Sequence, residues 1–246
     1  MVDLPGETPL AGRLAVVTGG TRGIGRGIAE RFLRDGAAVI ATGTRPDGKV
    51  PTGARFAQLQ LESDESVEAF CRLIEKEAPD IVVNSAGVSS PQTWDAIDVA
   101  TFRRNHQINL VAPMLICKAA LAGMKRRQWG RFVGITALSG TFIGRKTRAA
   151  IAAAKGGLDA LHATIAADGA QDGILANCVA PGFIDTDVIK ELFKPEEIAA
   201  IAAKIPMKRM GTIEEIASLV GFLCGPENTY ITGRQIVIDG GYTRTL

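Results

Sequence analysis

The stretch "VVTGGTRGIGRGIAE", residues 16–30, decides the fold, because it joins an apolar β-branched run to a helical run through closely spaced glycines. Gly19, Gly23 and Gly25 fall in the turn, where backbone without side chains can bend tightly and approach a pyrophosphate. The helix beyond presents free N–H groups and the positive end of its dipole to an anion. This strand–turn–helix pattern favours a nucleotide-binding site over an ordinary tight turn.

Short apolar runs and helical runs alternate along the rest of the chain. The strands read as apolar on both faces, which predicts a parallel sheet between helices. We therefore expect an α/β fold: a single Rossmann-type domain over residues 1–246, a three-layer sandwich whose doubly wound parallel sheet has about seven strands. The predicted strands are "LAVVTG" (14–19), "AAVIATG" (37–43), "DIVVNSAG" (80–87), "RFVGIT" (131–136), "ILANCVAPG" (174–182) and "RQIVIDGG" (234–241). The predicted helices are 24–36, 63–78 after a Ser63 N-cap, 101–128, 149–171, 195–203 and 212–224.

Composition narrows the class of protein. A hydrophobic fraction of 46% over 246 residues is enough for one large core. With 28 Lys and Arg against 26 Asp and Glu, the net charge of +2 argues against nucleic acid or a membrane surface as partner. The four cysteines form no CxxC pair, so we expect buried thiols and no metal site. We find no signal peptide and no apolar run of about 18 residues, and expect a cytoplasmic protein.

The end of the second strand indicates which nucleotide binds. A cofactor with a free ribose 2′-hydroxyl usually meets an Asp or Glu about 20 residues past the glycines. "ATGTRP" (41–46) offers Thr44 and Arg45 there instead, and Arg22 lies in the glycine loop on the same side. Guanidinium groups suit a 2′-phosphate, so NADP(H) is preferred over NAD(H). The alternative is that Arg45 points into water.

Motifs along nearly the whole chain resemble those of the short-chain dehydrogenase/reductase family, with a pattern similar to that of 3-oxoacyl-ACP reductases. They are "TGGTRGIG" (18–25), "NSAG" (84–87), "INL" (108–110), "APG" (180–182) and the run from "PMKRMG" to "VIDGG" (206–241). The resemblance implies a homotetramer packed through helices 101–128 and 149–171, and a substrate flap at about 183–205. It also implies that Thr186 touches the nicotinamide carboxamide and that Asp185 and Asp187 flank the substrate flap after Gly182. The implied cofactor-binding residues are Gly19, Thr21, Arg22, Gly23, Ile24, Gly25, Thr44, Arg45, Gln60, Leu61, Asn84, Ala86, Gly87, Lys155, Pro181, Gly182, Ile184 and Thr186.

The family's catalytic residues are only half present. The family has a Tyr four residues before its Lys, and a Ser about 13 residues before that Tyr. Here Lys155 and the helix Asn, Asn109, remain, but Ile151 stands in the Tyr slot and Ala137 in the Ser slot. Thr136 and Ser139 flank Ala137. On an extended strand Ser139 is a poor substitute for the Ser unless the loop bends back, and Thr136 is a worse one. The resemblance implies that Lys155 binds the nicotinamide ribose and that Asn109 anchors a water.

Other polar groups lie near this region in sequence. His106, one turn before Asn109, is favoured as a surface or interface histidine; the alternative is a substitute acid, which only its i,i+3 spacing to Asn109 supports. Arg145, Lys146 and Arg148 form a basic loop that either meets an anionic substrate or is simply solvated. Trp94 covers the site or fills core. Tyr230 and Tyr242 are not obvious acids.

Three functions remain open. The first is an NADP(H)-linked oxidoreductase acting on a carbonyl/hydroxyl pair of a small-molecule substrate, anionic or an acyl thioester. The second is a silent subunit (a pseudoenzyme) that pairs with an active relative in a hetero-oligomer. The third is a cofactor-bound protein without net redox chemistry. We rank the oxidoreductase first because the cofactor motifs are complete. The argument against it is that loss of a positioned acid alone lowers the reaction rate by about 10²–10⁴.

Overall fold

The computed structural model describes residues 8–244 and contains one seven-stranded, all-parallel sheet in the order β3-β2-β1-β4-β5-β6-β7. This confirms the predicted Rossmann-type fold. Both ends of the predicted 1–246 domain lie outside the described residues. So do the first residues of the N-terminal segment in which we find no signal peptide. The strands are β1 Leu14–Val17, β2 Ala38–Gly43, β3 Arg55–Gln58, β4 Ile81–Asn84, β5 Gly130–Ile135, β6 Ile174–Pro181 and β7 Gln235–Ile238.

Helices cover both faces of the sheet, because successive strand residues point to opposite sides. Val17 contributes to a core that contains α1 and α8, while its neighbour Val16 contributes to a core that contains α2 and α4. The helices are α1 Gly23–Arg34, α2 Asp64–Glu77, α3 Val99–His106, α4 Ala112–Arg127, α5 Ala149–Gly169, α6 Asp187–Leu192, α7 Pro195–Lys204 and α8 Ile213–Cys224. Ser63 caps α2 as predicted, accepting a hydrogen bond from the Ser66 N–H at 3.2 Å.

A π-helical segment, Gln107–Val111, joins α3 to α4 and makes one helical run, Val99–Arg127. By length and composition this run could cross a membrane, although it contains no unbroken apolar run of about 18 residues, which is what the sequence expectation concerned. Polar residues such as Asn109 and Lys118 interrupt the apolar sequence of this helix. Its most apolar window nevertheless has a mean hydropathy of 1.4. More than half of that window, 56%, is buried, as in a core helix.

Candidate active site

A cleft of about 700 Å³ opens at the carboxyl edge of the sheet. It lies where β1 neighbours β4, the point at which the strand order reverses and at which open α/β sheets bind ligands. Its lining contains twelve of the predicted cofactor residues: Gly19, Thr21, Arg22, Gly23, Ile24, Gly25, Thr44, Gln60, Leu61, Ala86, Gly87 and Thr186. The structure thus brings these twelve residues together in one cleft.

The glycine loop has the shape that a nucleotide phosphate requires. Gly19 and Gly23 have φ of +70° and +55°, in the left-handed region that favours glycine. A methyl group on Gly25 would lie 2.4 Å from the Gly19 carbonyl oxygen, so the turn closes only on bare backbone. Arg22, at the N-cap of α1, makes no side-chain capping bond, and the first turn holds no acid. The first N–H groups of α1 therefore remain available to an anion in the cleft, and the residues present fit a dinucleotide.

Polar contacts hold the facing "NSAG" loop against the glycine loop. The Thr18 hydroxyl oxygen accepts hydrogen bonds from the N–H groups of Ser85 at 3.0 Å and Ala86 at 3.1 Å. Asn84 lies buried beneath the loop, its amide donating to the Cys117 sulfur at 3.2 Å. Burial raises the pKa of the Cys117 thiol to about 12, so this sulfur is uncharged. Asn84 therefore supports the cleft from below and is not among its lining residues.

Two arginines stand at the end of the cleft that follows β2. Arg22 lines the cleft, and Arg45 is exposed, one residue beyond the lining residue Thr44. Within residues 8–244, neither guanidinium has an acidic partner at ion-pair distance. The backbone oxygen of Thr44, just after β2, accepts a hydrogen bond from the Gln58 side-chain amide at the end of β3, at 3.1 Å. This bond fixes the end of β2 next to Arg45.

Lys155 is buried beneath the other end of the cleft. Its ammonium donates to the Ile135 carbonyl oxygen at 2.7 Å, and Ile135 lines the cleft. A methyl group on Gly87, another lining residue, would lie 3.4 Å from the Lys155 Nζ. Burial lowers the pKa of Lys155 to about 8, an effect slightly opposed by nearby Cys178. The amine is therefore close to its titration range at neutral pH, beside two cleft-lining residues.

Asn109 is fully buried, and its side chain is bonded to protein on both sides. Its amide donates to the carbonyl oxygens of Val88 and Asn105, each at 2.9 Å, and its oxygen accepts from the Val88 N–H at 3.3 Å. Asn109 lies in the π-helical segment, a feature often found at functional sites. The side chain thereby ties the loop after β4 to the long helix, at the point where Gly87 meets Lys155.

Hydrocarbon side chains stand at positions 137 and 151, neither of which is among the lining residues of the cleft. Ile151 lies one turn before Lys155 on α5, and Ala137 follows the end of β5. A methyl group on Gly140 would lie 2.3 Å from the Ala152 carbonyl oxygen, so the segment after β5 packs directly against the first turn of α5. Ala137 and Ile151 thus lie on neighbouring segments, and neither has a proton to transfer.

The two hydroxyls beside Ala137 are buried and differently engaged. The Thr136 hydroxyl donates to the Val179 carbonyl at 3.0 Å and accepts from the Gln235 amide at 2.7 Å, so it faces β6 and β7. Ser139 forms an isolated parallel bridge with Ile143. Because β5 ends at Ile135, the alternation of an extended strand does not fix the direction of these side chains, contrary to the sequence argument.

Other candidate proton donors show contacts away from Lys155. The His106 ring packs on Phe102, with centroids 4.3 Å apart, and its Nδ1 lies 2.9 Å from the Phe102 carbonyl oxygen. Tyr230 is 95% exposed, and Tyr242 packs edge-to-face on Phe183 at 5.4 Å. Trp94 is 82% exposed, which excludes the core position considered from the sequence.

The segment after β6 closes the cleft on its other side. Thr186 lines the cleft and caps α6, its hydroxyl accepting from the Ile189 N–H at 3.4 Å. Gly182 donates its N–H to Ile238 at 2.9 Å, and Ile184 is buried and bridged to Gly211. The predicted residues Pro181, Gly182 and Ile184 therefore support the position of Thr186 and are not among the lining residues.

Sequence reasoning missed several cleft residues. Arg104 on α3 pairs with Glu62 after β3, and both line the cleft. Gln107 donates to Asp64 at 3.0 Å, a second link between the same two segments. Their separation in sequence left no local signal for the pairing. The other lining residues outside the prediction are Thr42, Gly43, Leu59, Ser85, Val88, Ile108, Ile135 and Val188.

Comparisons with known proteins agree with this architecture. Residues 19–243 match the family model described as enoyl-(acyl carrier protein) reductase. The 3-oxoacyl-(acyl-carrier-protein) reductase FabG of Vibrio cholerae is 36% identical over 240 residues, which cover 94% of this chain and 98% of that protein. FabG of Aquifex aeolicus is 34% identical, covering 96% and 99%.

Solved structures show the same likeness. A gluconate 5-dehydrogenase from Burkholderia cenocepacia, in complex with NADP and tartrate, superposes with a TM-score of 0.89 at 26% identity, covering 98% of each chain. An aldohexose dehydrogenase from Thermoplasma acidophilum gives 0.88 at 29%, covering 96% of each chain. From its fold, its cleft and these relatives, the chain belongs to the short-chain dehydrogenase/reductase family of oxidoreductases.

Proposed function

We propose that the protein is an NADP(H)-dependent oxidoreductase that interconverts a carbonyl and a hydroxyl group on a small molecule. The observation that carries this proposal is Lys155, a buried amine held against Gly87 and Ile135, two lining residues of an intact dinucleotide cleft. When bound, NADP(H) supplies the hydride chemistry of the reaction.

Each part of the cleft has a separate binding role in this proposal. The N–H groups at the start of α1 hold the diphosphate, and Arg22 and Arg45 bind the 2′-phosphate as bidentate donors. Thr186 contacts the nicotinamide carboxamide, and Lys155 binds the nicotinamide ribose. The absence of a carboxylate at the end of β2 supports NADP(H) over NAD(H).

Proton delivery is the unusual part of this site. Ile151 and Ala137 leave the reacting oxygen without a phenol or a hydroxyl beside it, so we propose that Lys155 supplies or accepts the proton. Burial lowers the pKa of Lys155 to about 8, within reach of proton transfer near neutral pH. The segment 183–205, which holds α6 and α7, forms the flap over the substrate. The predicted rate is low, because a lost oxyanion donor alone costs about 10²–10³.

The test combines binding and turnover on one sample of purified protein. Titration with NADPH and NADH, read by nicotinamide fluorescence, should show tighter binding of NADPH. Slow NADPH oxidation should follow with a member of a panel of ketones, aldehydes and thioesters, and Lys155→Met should abolish it. No turnover above cofactor decay across the panel would contradict the proposal.

A reconstruction variant supplies the matching gain of function. Ile151→Tyr combined with Ala137→Ser places a phenol one turn before Lys155 and a hydroxyl after β5. We expect ketone reduction to rise by about 10²-fold or more, because a general acid and an oxyanion donor are restored together. The single variant Ala137→Ser is the control. An unchanged rate in the double variant would mean that the reacting oxygen does not lie beside Ile151.

The same two hydrocarbon positions favour a second candidate, a silent subunit that assembles with an active relative. On α5, an exposed row of small side chains, Ala153, Ala160, Ala163 and Ala167, would let another helix approach closely. If the protein is an active oxidoreductase, this surface builds a homotetramer. If it is a silent subunit, the protein purified from native extract should co-purify with a family member that has the catalytic Tyr. Recovery of this chain alone would reject the second candidate.

A further inference from the structure

The loop 144–148, between β5 and α5, contains three cations: Arg145, Lys146 and Arg148. Two contacts fix where they lie. The Arg148 guanidinium donates to the Ser89 hydroxyl at 2.6 Å, and Ser89 follows Val88, a cleft-lining residue. Arg148 is thereby held against the wall that follows β4.

Arg145 lies against the segment that follows β6. Its guanidinium carbon is 5.4 Å from the centroid of the Phe183 ring, and Phe183 comes three residues before the cleft-lining Thr186. A guanidinium held over an aromatic face at this distance is attracted by the ring. Arg148 is the N-cap of α5, and Ile151 lies three residues further along the chain, about one helical turn away.

This positive charge is not neutralised by the part of the chain that the structure describes. Among residues 8–244, no carboxylate lies at ion-pair distance from Arg145, Lys146 or Arg148. Asp185, the acid near Phe183, is paired with Lys190 at 3.1 Å. Burial and the neighbouring Arg145 lower the pKa of Arg148, so the two guanidiniums stand close enough to repel each other. Like charges held together without a counter-charge attract an anion to the space between them.

We propose that Arg145 and Arg148 form a carboxylate-binding subsite, and that the substrate is a small oxo or hydroxy acid. This inference rests on the proposed function for the identity of the reacting group. A carboxylate between the two guanidiniums would place a carbonyl a few carbons away near Ile151, since one helical turn rises about 5.4 Å. Guanidinium groups recognise carboxylates through paired hydrogen bonds, which neutral ketones cannot replace.

The test measures binding, so that it does not depend on turnover. The probes are 2-oxo, 3-oxo, 4-oxo and 5-oxo straight-chain acids, each paired with its methyl ester, titrated calorimetrically into the protein with and without NADPH. We expect at least one acid to bind about tenfold or more tightly than its ester, with an affinity that falls as salt is raised. Equal binding of acid and ester, or no binding by any acid, would overturn the proposal.

Variants locate the effect. Arg148→Leu and Arg145→Leu should each weaken the acid by about tenfold or more and leave the ester unchanged, and Arg148→Lys should restore part of the affinity. Ser89→Ala should weaken the acid less, because it frees Arg148 without removing its charge. Arg126→Leu, an exposed arginine on α4, is the matched control. Equal losses in Arg126→Leu would overturn the subsite, whereas failure of NADPH to bind the wild-type protein would refute the proposed function alone.

Discussion

Replacing Lys155 with methionine tests whether a charge is held in the core beneath the cleft. Lys155 is 5% exposed, and its pKa falls from 10.5 to about 8 because burial penalises the ammonium. A fall of this size corresponds to about 3 kcal/mol of stability lost while the folded chain carries the charge. Between pH 8 and 10.5, the unfolded chain holds a proton that the folded chain has released. Stability of the wild-type protein should therefore rise with pH across this window.

Methionine fills the same space without a charge, but it leaves the Ile135 carbonyl without the hydrogen bond it accepts at 2.7 Å. The lost bond costs about 1–3 kcal/mol, independent of pH. At pH 7 the gain from removing the buried charge offsets or exceeds the loss of the hydrogen bond, so Lys155→Met is about as stable as wild type or more stable. At pH 10.5 only the loss of the hydrogen bond remains, and the variant is less stable. The free energy of unfolding of the variant, relative to wild type, should fall by about 3 kcal/mol between these two pH values.

Urea unfolding of both proteins at pH 7, 8, 9 and 10.5, at one protein concentration and without cofactor, gives this difference directly. Thermal unfolding should show the same trend, at about 2–4 °C per kcal/mol. Lys76→Met, an exposed lysine on α2, is the control and should show no such trend. A difference between Lys155→Met and wild type that stays constant with pH would refute the reasoning, because the amine would then titrate alike in the folded and unfolded chains.

Two further predictions concern the cofactor. Gly25→Ala should reduce NADPH binding by at least about tenfold, because its methyl would lie 2.4 Å from the Gly19 carbonyl oxygen and must displace the loop. Fluorescence titration checks this against Gly144→Ala, where a methyl meets nothing within 4 Å, and equal binding by both variants would contradict it. Arg45→Ala should weaken NADPH by about tenfold and leave NADH unchanged, as measured by the same titration. Equal losses for both cofactors would instead assign Arg45 a structural role.

The predicted fold follows from features that are local in sequence. Strands buried on both faces, such as β4 and β6, read as continuous apolar runs, and the glycine loop marks the first crossover. The edge strand β3, Arg55–Gln58, was not located, because it is short and half exposed and therefore lacks that apolar signal. The π-helical segment around Asn109 was also not predicted. Within it, the Asn109 side chain bonds to Val88, a partner 21 residues away that no local pattern links to it.

The candidate site divides in the same way. Backbone-determined parts, such as Gly19 and Gly25, could be read from their spacing, because only glycine fits these conformations. The ion pair between Arg104 and Glu62 joins two segments that only the fold brings together, so no local sequence pattern predicts it. Similarly, the exposure of Trp94 depends on packing. The hydrogen bond from Arg148 to Ser89 is the most useful such case. From the sequence the basic loop could have been simply solvated, whereas this bond fixes Arg148 next to the residue that follows the cleft-lining Val88.

Lys155 is also the strongest argument that this site acts on a substrate. Its hydrogen bond to Ile135 gives it a structural contact, so its presence alone does not prove chemistry. A residue needed only to fill this space would be hydrocarbon, as Ile151 is one turn earlier, because burying an amine lowers stability by about 3 kcal/mol. A cost of that size is expected where the ammonium meets a ligand, and the lining residues Gly87 and Ile135 place it at the edge of the cleft. Under the proposed function, the hydrocarbon at Ile151 and Ala137 replaces the usual proton donors, and the buried Lys155 amine is the group left to meet a cofactor and a reacting oxygen.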